Sequence, residues 1–410
     1  MAWYPVAMEA ANLSEKNTVE EADARWKARQ ATSTMMLKLS YSGQGDDALP
    51  TLLCNGELSN LSALEAGRGQ IGNAECSFTP LGDAVPVLVV GRYDRTSTEF
   101  SEVYSLEGHK AAARAYSASA QNVASFVRDW FGTPRAKFSV AELPDARAVP
   151  FENGNLLLIA LADAGAKQNE LTAVRQLAHA TLSSPRAWIR EGLTHFAQAL
   201  YRERQDGRPA AVEFMKSHEG IMMAAEREQS PNDAKEAAQN SLINTSLEEF
   251  YRGKSMYVWW MLRDLAGDAA LKSALAAYRA DQDKEPSYIQ RLLEAESKKD
   301  LEWFFDDWVY RDKGLPDFRI ASVYPRKTMK DTYLVTVTVE NLGNAAAEVP
   351  VIAHFAGLDA KERLLVKGKS QASIRLETAR MPEDVVVNDG SVPESDTGNN
   401  TFKVEAASDK

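Results

Sequence analysis

Apolar and polar positions change their period twice along this chain of 410 residues. In the first 98 residues, short apolar runs are separated by turns: Met35 to Tyr41, Leu52 to Cys54, Gln70 to Phe78 and Val85 to Val90. Such runs predict strands, and Val85-Pro-Val-Leu-Val-Val90, closed by Gly91, predicts a continuous buried one. Residues 11–30 are rich in Glu and Ala and fit either a helix or a loose insertion. From residue 99 to residue 316 the spacing becomes helical. Lys110 to Phe131 carries apolar residues at helical spacing and stops at Gly132-Thr133-Pro134. Leu156 to Leu161 reads as a buried strand. Helices are expected over 171–182 and 188–201, split by Ser183-Ser184-Pro185, and then over 248–265, 269–279, 286–295 and 301–309. From residue 317 to residue 410 alternation returns in seven short runs, with turns about every 8–12 residues, the pattern of a small β-sandwich. The predicted fold class is therefore multidomain α+β, in three regions: 1–98, 99–316 and 317–410.

Charge narrows the function. Asp and Glu number 58 against 47 Lys and Arg, a formal net charge of −11. Nucleic acid is an improbable partner, because counterion release needs clustered Lys and Arg. The longest apolar stretch, Leu156 to Ala162, is far short of the ~20 residues of a membrane helix, so no transmembrane segment is expected. The chain opens without a charged-then-apolar leader. It reads either as a cytosolic start or as a chain that begins after a removed export signal. The two cysteines, Cys54 and Cys76, make neither a disulfide scaffold nor a Cys-based metal site. They are either two buried thiols or a bridge closing a loop worth ~3 kcal/mol.

Candidate chemistry lies in the middle region, in Arg175-Gln176-Leu177-Ala178-His179 and in Pro185-Arg186-Ala187-Trp188-Ile189-Arg190-Glu191-Gly192. In a zinc-peptidase helix, His-Glu-x-x-His places two imidazoles on one face and a Glu as general base. Here His179 stands at the second imidazole and Glu191 at the third ligand, a Glu on the following helix. Arg175 stands at the first imidazole and Gln176 at the base. Arg has no lone pair for a metal and an amide accepts no proton at neutral pH. His195, one turn after Glu191, makes a rebuilt His179–Glu191–His195 zinc site the alternative reading. His109, His218 and His354 read as surface or solvated.

On these residues the chain resembles the gluzincin aminopeptidases, the membrane alanyl aminopeptidase family. Further similarities fall in the family's order: Cys54 to Glu57 with Cys76 to Pro80, Phe126 to Pro134, and Phe151-Glu152-Asn153-Gly154, which is similar to the Gly-x-Met-Glu-Asn exopeptidase motif. Lys254 to Arg263, and Trp303 to Trp308 with Leu315-Pro316, complete the series. The resemblance implies a truncated N-terminal β-domain, a thermolysin-like helical domain, and Glu152 and Asn153 as peptide-binding residues. It also marks departures. Arg252 occupies the place of the catalytic Tyr, with Tyr251 one position earlier, and the gap from His179 to Glu191 is shorter than usual. Val339 to Ala347 and Glu394-Ser-Asp-Thr-Gly-Asn-Asn-Thr401 resemble the CARDB module of bacterial surface proteins, which implies an immunoglobulin-like sandwich and an extracytoplasmic location. Together these imply a peptidase-like protein that holds no metal and binds a peptide or protein partner. An Arg175–Glu191 ion pair is expected where the family holds zinc, since Arg175 and His179 at i and i+4 share a helix face.

Overall fold

The computed structural model describes residues 33–42, 48–66, 69–81, 85–161, 165–228, 241–245 and 250–404. Residues 11–30 lie outside these. The chain is a mixed α/β, multidomain protein with several sheets, and it divides into two compact units, Met1–Arg190 and Glu191–Lys410.

The first unit holds three sheets. Strands β1 (Met35–Ser42), β4 (Gly69–Phe78) and β3 (Glu57–Ala66) pair antiparallel in the order β1-β4-β3. Strand β2 (Thr51–Cys54) pairs with β5 (Leu88–Gly91). Cys54 and Cys76 are joined in a disulfide, so the free-thiol reading is corrected. The bridge ties β2 to β4 rather than spanning one hairpin. Strand β5 is also shorter than expected. Pro86 has no N–H for a ladder, and the Val87 N–H goes instead to Asn55 Oδ1 at 2.7 Å.

The third sheet positions the site. Its order is β6 (Asp94–Ser97), β7 (Ser101–Ser105), β8 (Phe138–Glu142), β10 (Leu156–Ile159), β9 (Phe151–Asn153). The central pairs are parallel and the outer ones antiparallel. Helix α1 (Lys110–Phe131) makes the crossover from β7 to β8, burying Tyr116, Val123, Val127 and Trp130. Helix α2 (Ala166–Thr181) follows β10 and buries Ala173, Val174, Leu177 and Ala178. At ~25 cal/mol per Å2 of apolar area, this burial holds both helices against the sheet, because neither has a side-chain N-cap.

Helix α3 (Ala187–Asp206) runs across the division between the units. In the second unit, α4 (Arg208–Lys216) and α5 (Glu219–Glu228) precede a π turn, Phe250–Lys254, which enters α6 (Ser255–Ala266). In α6 Trp259, Trp260, Tyr257 and Met256 are buried, as its aromatic pattern requires. Helices α7 (Asp268–Ala277) and α8 (Tyr288–Ser297) follow, then a short turn of helix and a second π turn, Asp306–Tyr310.

Seven strands then form two antiparallel sheets. One has the order β11 (Phe318–Lys327), β12 (Tyr333–Asn341), β15 (Ser370–Thr378). The other has β14 (Leu358–Val366), β13 (Ala347–Phe355), β16 (Asp384–Val387), β17 (Thr401–Lys403). Alternate residues point inward, so Val335, Val337, Val339, Val349, Val351, Val385 and Val387 are all buried. Asp307 accepts the Ala346 N–H and Trp308 donates to Ala346 O, which fastens the last helical turn to β13.

Candidate functional site

Glu152 is the centre of one cluster. It lies on β9, an edge strand turned back onto β10 by Gly154-Asn155, where Gly154 has φ +59°. A primed hairpin turn with Gly first supplies that geometry. Successive residues of β9 point to opposite faces. The Glu152 side chain turns toward α2, where Oε2 lies 2.7 Å from Arg175 Nε. Gln176 Nε2 donates to Oε1 at 2.6 Å, and His179 Nε2 stands 3.4 Å from the same oxygen. Three successive site positions of α2 thus converge on one carboxylate that is only 10% exposed. Tyr116 of α1 lies fully buried near it. Burial pushes its hydroxyl pKa up, and the negative charge of Glu152 adds to the shift.

Asn153 points the other way. Its Oδ1 accepts from Asn55 Nδ2 at 2.8 Å, and Asn55 also bonds to Val85 O and Val87 N–H. Glu152 and Asn153 therefore serve different surroundings: one the helix, the other the chain that follows the disulfide. Asn55 and Tyr116 were not visible as site residues. Asn55 reads as an ordinary turn residue in Cys54-Asn55-Gly56, and Tyr116 as core.

The second unit carries Glu191, His195, Tyr251 and Arg252. Glu191 is buried, and its Oε2 stands 3.5 Å from Arg252 Nε. Gly192 explains the approach of the elements that carry them. A Cβ there would lie 2.5 Å from Ser255 Cβ and 3.0 Å from Trp259 Cδ1, so only glycine lets α3 sit this close to α6. His195 is buried with its ring 5.5 Å from that of His218, edge to face. His218 Nδ1 in turn meets Phe214 O and Ser217 Oγ. Tyr251 is half-buried in the π turn. Tyr257 is fully buried; burial raises its pKa, and Glu219 adds to the shift. His109 faces the buried Glu142 at 2.7 Å and His354 faces Asp359 at 2.6 Å, so both have acidic partners rather than water alone.

The two ends of the expected Arg175–Glu191 pair belong to different units, and each has a counter-charge within its own: Glu152 for Arg175, Arg252 for Glu191. Among the described residues, no group of three or more His, Cys, Asp or Glu side chains is arranged to hold a metal ion. The donor chemistry on α2 does not fit the zinc of a His-Glu-x-x-His helix. A guanidinium occupies the first ligand position, an amide the base, and the remaining imidazole faces a carboxylate.

No protein-family model matches the chain, and no curated protein matches it. Solved structures do. Aminopeptidase A of Legionella pneumophila, solved in complex with aspartic acid, superposes with a TM-score of 0.61 at 16% identity. The match covers 88% of this chain and 45% of that one, so the chain spans under half the length of its structural neighbour. At that identity the likeness establishes an aminopeptidase-like fold and leaves function to the site. No helix among the described residues is long and apolar enough to cross a membrane.

Proposed function

We propose that this protein is a catalytically silent relative of the gluzincin aminopeptidases, a pseudo-peptidase that binds a peptide or protein partner instead of cleaving it. One observation carries the reading. Arg175 and Gln176, where a zinc helix has its first imidazole and its base, both engage Glu152. Neither metal affinity nor proton abstraction can come from that pair. An incoming peptide ammonium would also compete with Arg175 for Glu152.

The finer architecture belongs to the same proposal: a partial β-domain to residue 98, a thermolysin-like domain to residue 316, and a CARDB-like immunoglobulin-like sandwich beyond. An extracytoplasmic location is supported by the Cys54–Cys76 bridge, since disulfides persist in oxidising compartments. The test is metal content together with activity. The purified chain should carry no near-stoichiometric zinc and should not release amino acids from chromogenic anilides. The double variant Arg175→His with Gln176→Glu should gain zinc affinity. Chelator-removable zinc at near one equivalent in the parent, with aminopeptidase activity, overturns the proposal in favour of an active enzyme using His179, Glu191 and His195.

A further inference from the structure

Strand β9 is weakly held for an element that carries a site. It is three residues long and pairs only with β10, through Phe151, Glu152 and Asn153. Phe151 is 46% exposed and Val149 before it 83%, so little apolar burial fixes the strand. Its register rests on two side chains that leave opposite faces. Glu152 goes to α2, and Asn153 goes to Asn55. Both polar atoms of the Asn55 side chain are used. Its Oδ1 accepts the Val87 N–H at 2.7 Å, and its Nδ2 donates to Val85 O at 2.9 Å and to Asn153 Oδ1 at 2.8 Å. The bonds to Val85 and Val87 bracket Pro86, which has no N–H of its own. The bond to Asn153 crosses to the sheet of the site. The backbone is close as well: a Cβ on Gly154, in the turn from β9 to β10, would lie 3.6 Å from Asn55 O.

We propose that Asn55 is a positioning residue for Glu152, and that it couples the carboxylate site to the Cys54–Cys76 bridge. Cys54 precedes Asn55 and carries one sulfur of the bridge. Gly56 follows it, and a Cβ there would lie 3.0 Å from Cys76 Sγ and 2.6 Å from Ser77 O. The residues on both sides of Asn55 therefore rest on the bridge, and the amide between them is held in one orientation. One planar amide supplies the acceptor for Val87 and the two donors for Val85 and Asn153, a set that a carboxylate or a hydroxyl does not offer. At the other end, Gln176 meets Glu152 at 2.6 Å and Arg175 meets it at 2.7 Å, distances that leave no slack. A hairpin released at Asn153 can roll about its bonds to β10, and the Glu152 carboxylate moves with it. All of these residues belong to the first unit, and the coupling holds whatever the site binds.

The experiment is nuclear magnetic resonance of the full chain carrying isotope-labelled histidine, with hydrogen exchange read by mass spectrometry in parallel. The chain has five histidines, and His179 stands 3.4 Å from Glu152 Oε1, so its ring reports where the carboxylate sits. Asn153→Ala removes one bond from an edge hairpin, so the chain should fold. It should shift the His179 signal and speed amide exchange over residues 151–159 by about tenfold, the effect of one lost hydrogen bond on local opening. Asn153→Leu keeps the size but not the acceptor and should behave like Asn153→Ala. Asn153→Asp keeps an acceptor for Asn55 Nδ2 and should match the parent. Cys54→Ser with Cys76→Ser should shift the same His179 signal in the parent and add no further shift to Asn153→Ala. A His179 signal and an exchange rate that Asn153→Ala leaves unchanged overturn the positioning role. A shift on bridge removal that is equally large with and without Asn153→Ala overturns the coupling. Neither readout uses zinc, peptide or turnover, so neither outcome bears on catalytic silence.

Discussion

Glu152→Ala is the most informative perturbation of the first unit. The carboxylate takes an ion pair at 2.7 Å from Arg175 and a hydrogen bond at 2.6 Å from Gln176, with His179 at 3.4 Å. The hydrogen bond from Gln176 to the charged group contributes about 1.5–3 kcal/mol. Breaking a buried pair from one side costs about 3–5 kcal/mol, because the remaining charge stays desolvated. Arg175 is 17% exposed and Glu152 10%, so screening reduces these values only modestly. The one-sided loss of the ion pair sets the scale, about 3–5 kcal/mol, which is a fall in melting temperature of about 6–20 °C for a unit of this size. Glu152→Gln should cost less, since it keeps one acceptor and the side-chain shape. The assay is thermal and urea unfolding followed by circular dichroism, completed as a cycle with Arg175→Ala and the double variant. The double variant should lose clearly less than the sum of the two singles. Strict additivity, or a Glu152→Ala protein that melts with the parent, refutes the cluster as a mutual charge compensation.

The Cys54–Cys76 bridge closes a loop of sequence separation 22, which corresponds to roughly 3 kcal/mol of unfolded-state entropy. Cys54→Ser with Cys76→Ser should lose about that much in urea unfolding, and reductant should lower the parent's midpoint without affecting the variant's. In the second unit, Lys254 Nζ lies 2.7 Å from Asp312 Oδ1 with both side chains under 5% exposed, and near the rings of Phe250 and Trp308. Lys254→Met alone should therefore cost about 3–5 kcal/mol by leaving Asp312 without its cation. Lys254→Met with Asp312→Asn should recover part of that loss, as a double-mutant cycle will show.

How far the sequence could be read depended on which faces are buried. The sandwich strands were legible because one face is core and the other solvent, which leaves a clean alternation in Tyr333–Asn341 and Ala347–Phe355. Strand Glu57–Ala66 was missed. Polar residues interrupt its apolar ones without strict alternation, and the register shifts between Ser59 and Ser62, where Asn60 adopts φ +52°. Asp94–Ser97 is a wholly polar edge strand with no alternation to detect. The π turns at Phe250–Lys254 and Asp306–Tyr310 carry no periodic signal either, since a single wide turn barely disturbs helical spacing. The face shared by Arg175 and His179 followed directly from i, i+4 spacing. Glu152 could be tied to that face only by its resemblance to the exopeptidase motif, because it reaches the face from a sheet edge and no local period encodes such a contact.

On the proposed reading, Arg175 and Gln176 of α2 also make sense as a pair. In the helix that this one resembles, a zinc ion of charge +2 and a general-base Glu of charge −1 sum to +1. Arg175 and Gln176 together also sum to +1. On the proposed pseudo-peptidase reading, the local charge facing Glu152 is the same without the metal and the base. One substitution alone would break that balance. A Glu at position 176 beside Arg175 would bring a second carboxylate against Glu152, and a His at position 175 beside Gln176 would leave Glu152 without a permanent cation. Like charges in a buried site raise each other's pKa, and an unpaired one carries its desolvation cost. The zinc-affinity variant therefore needs both changes at once, because only with the metal bound does the pair return to the sum that Glu152 requires.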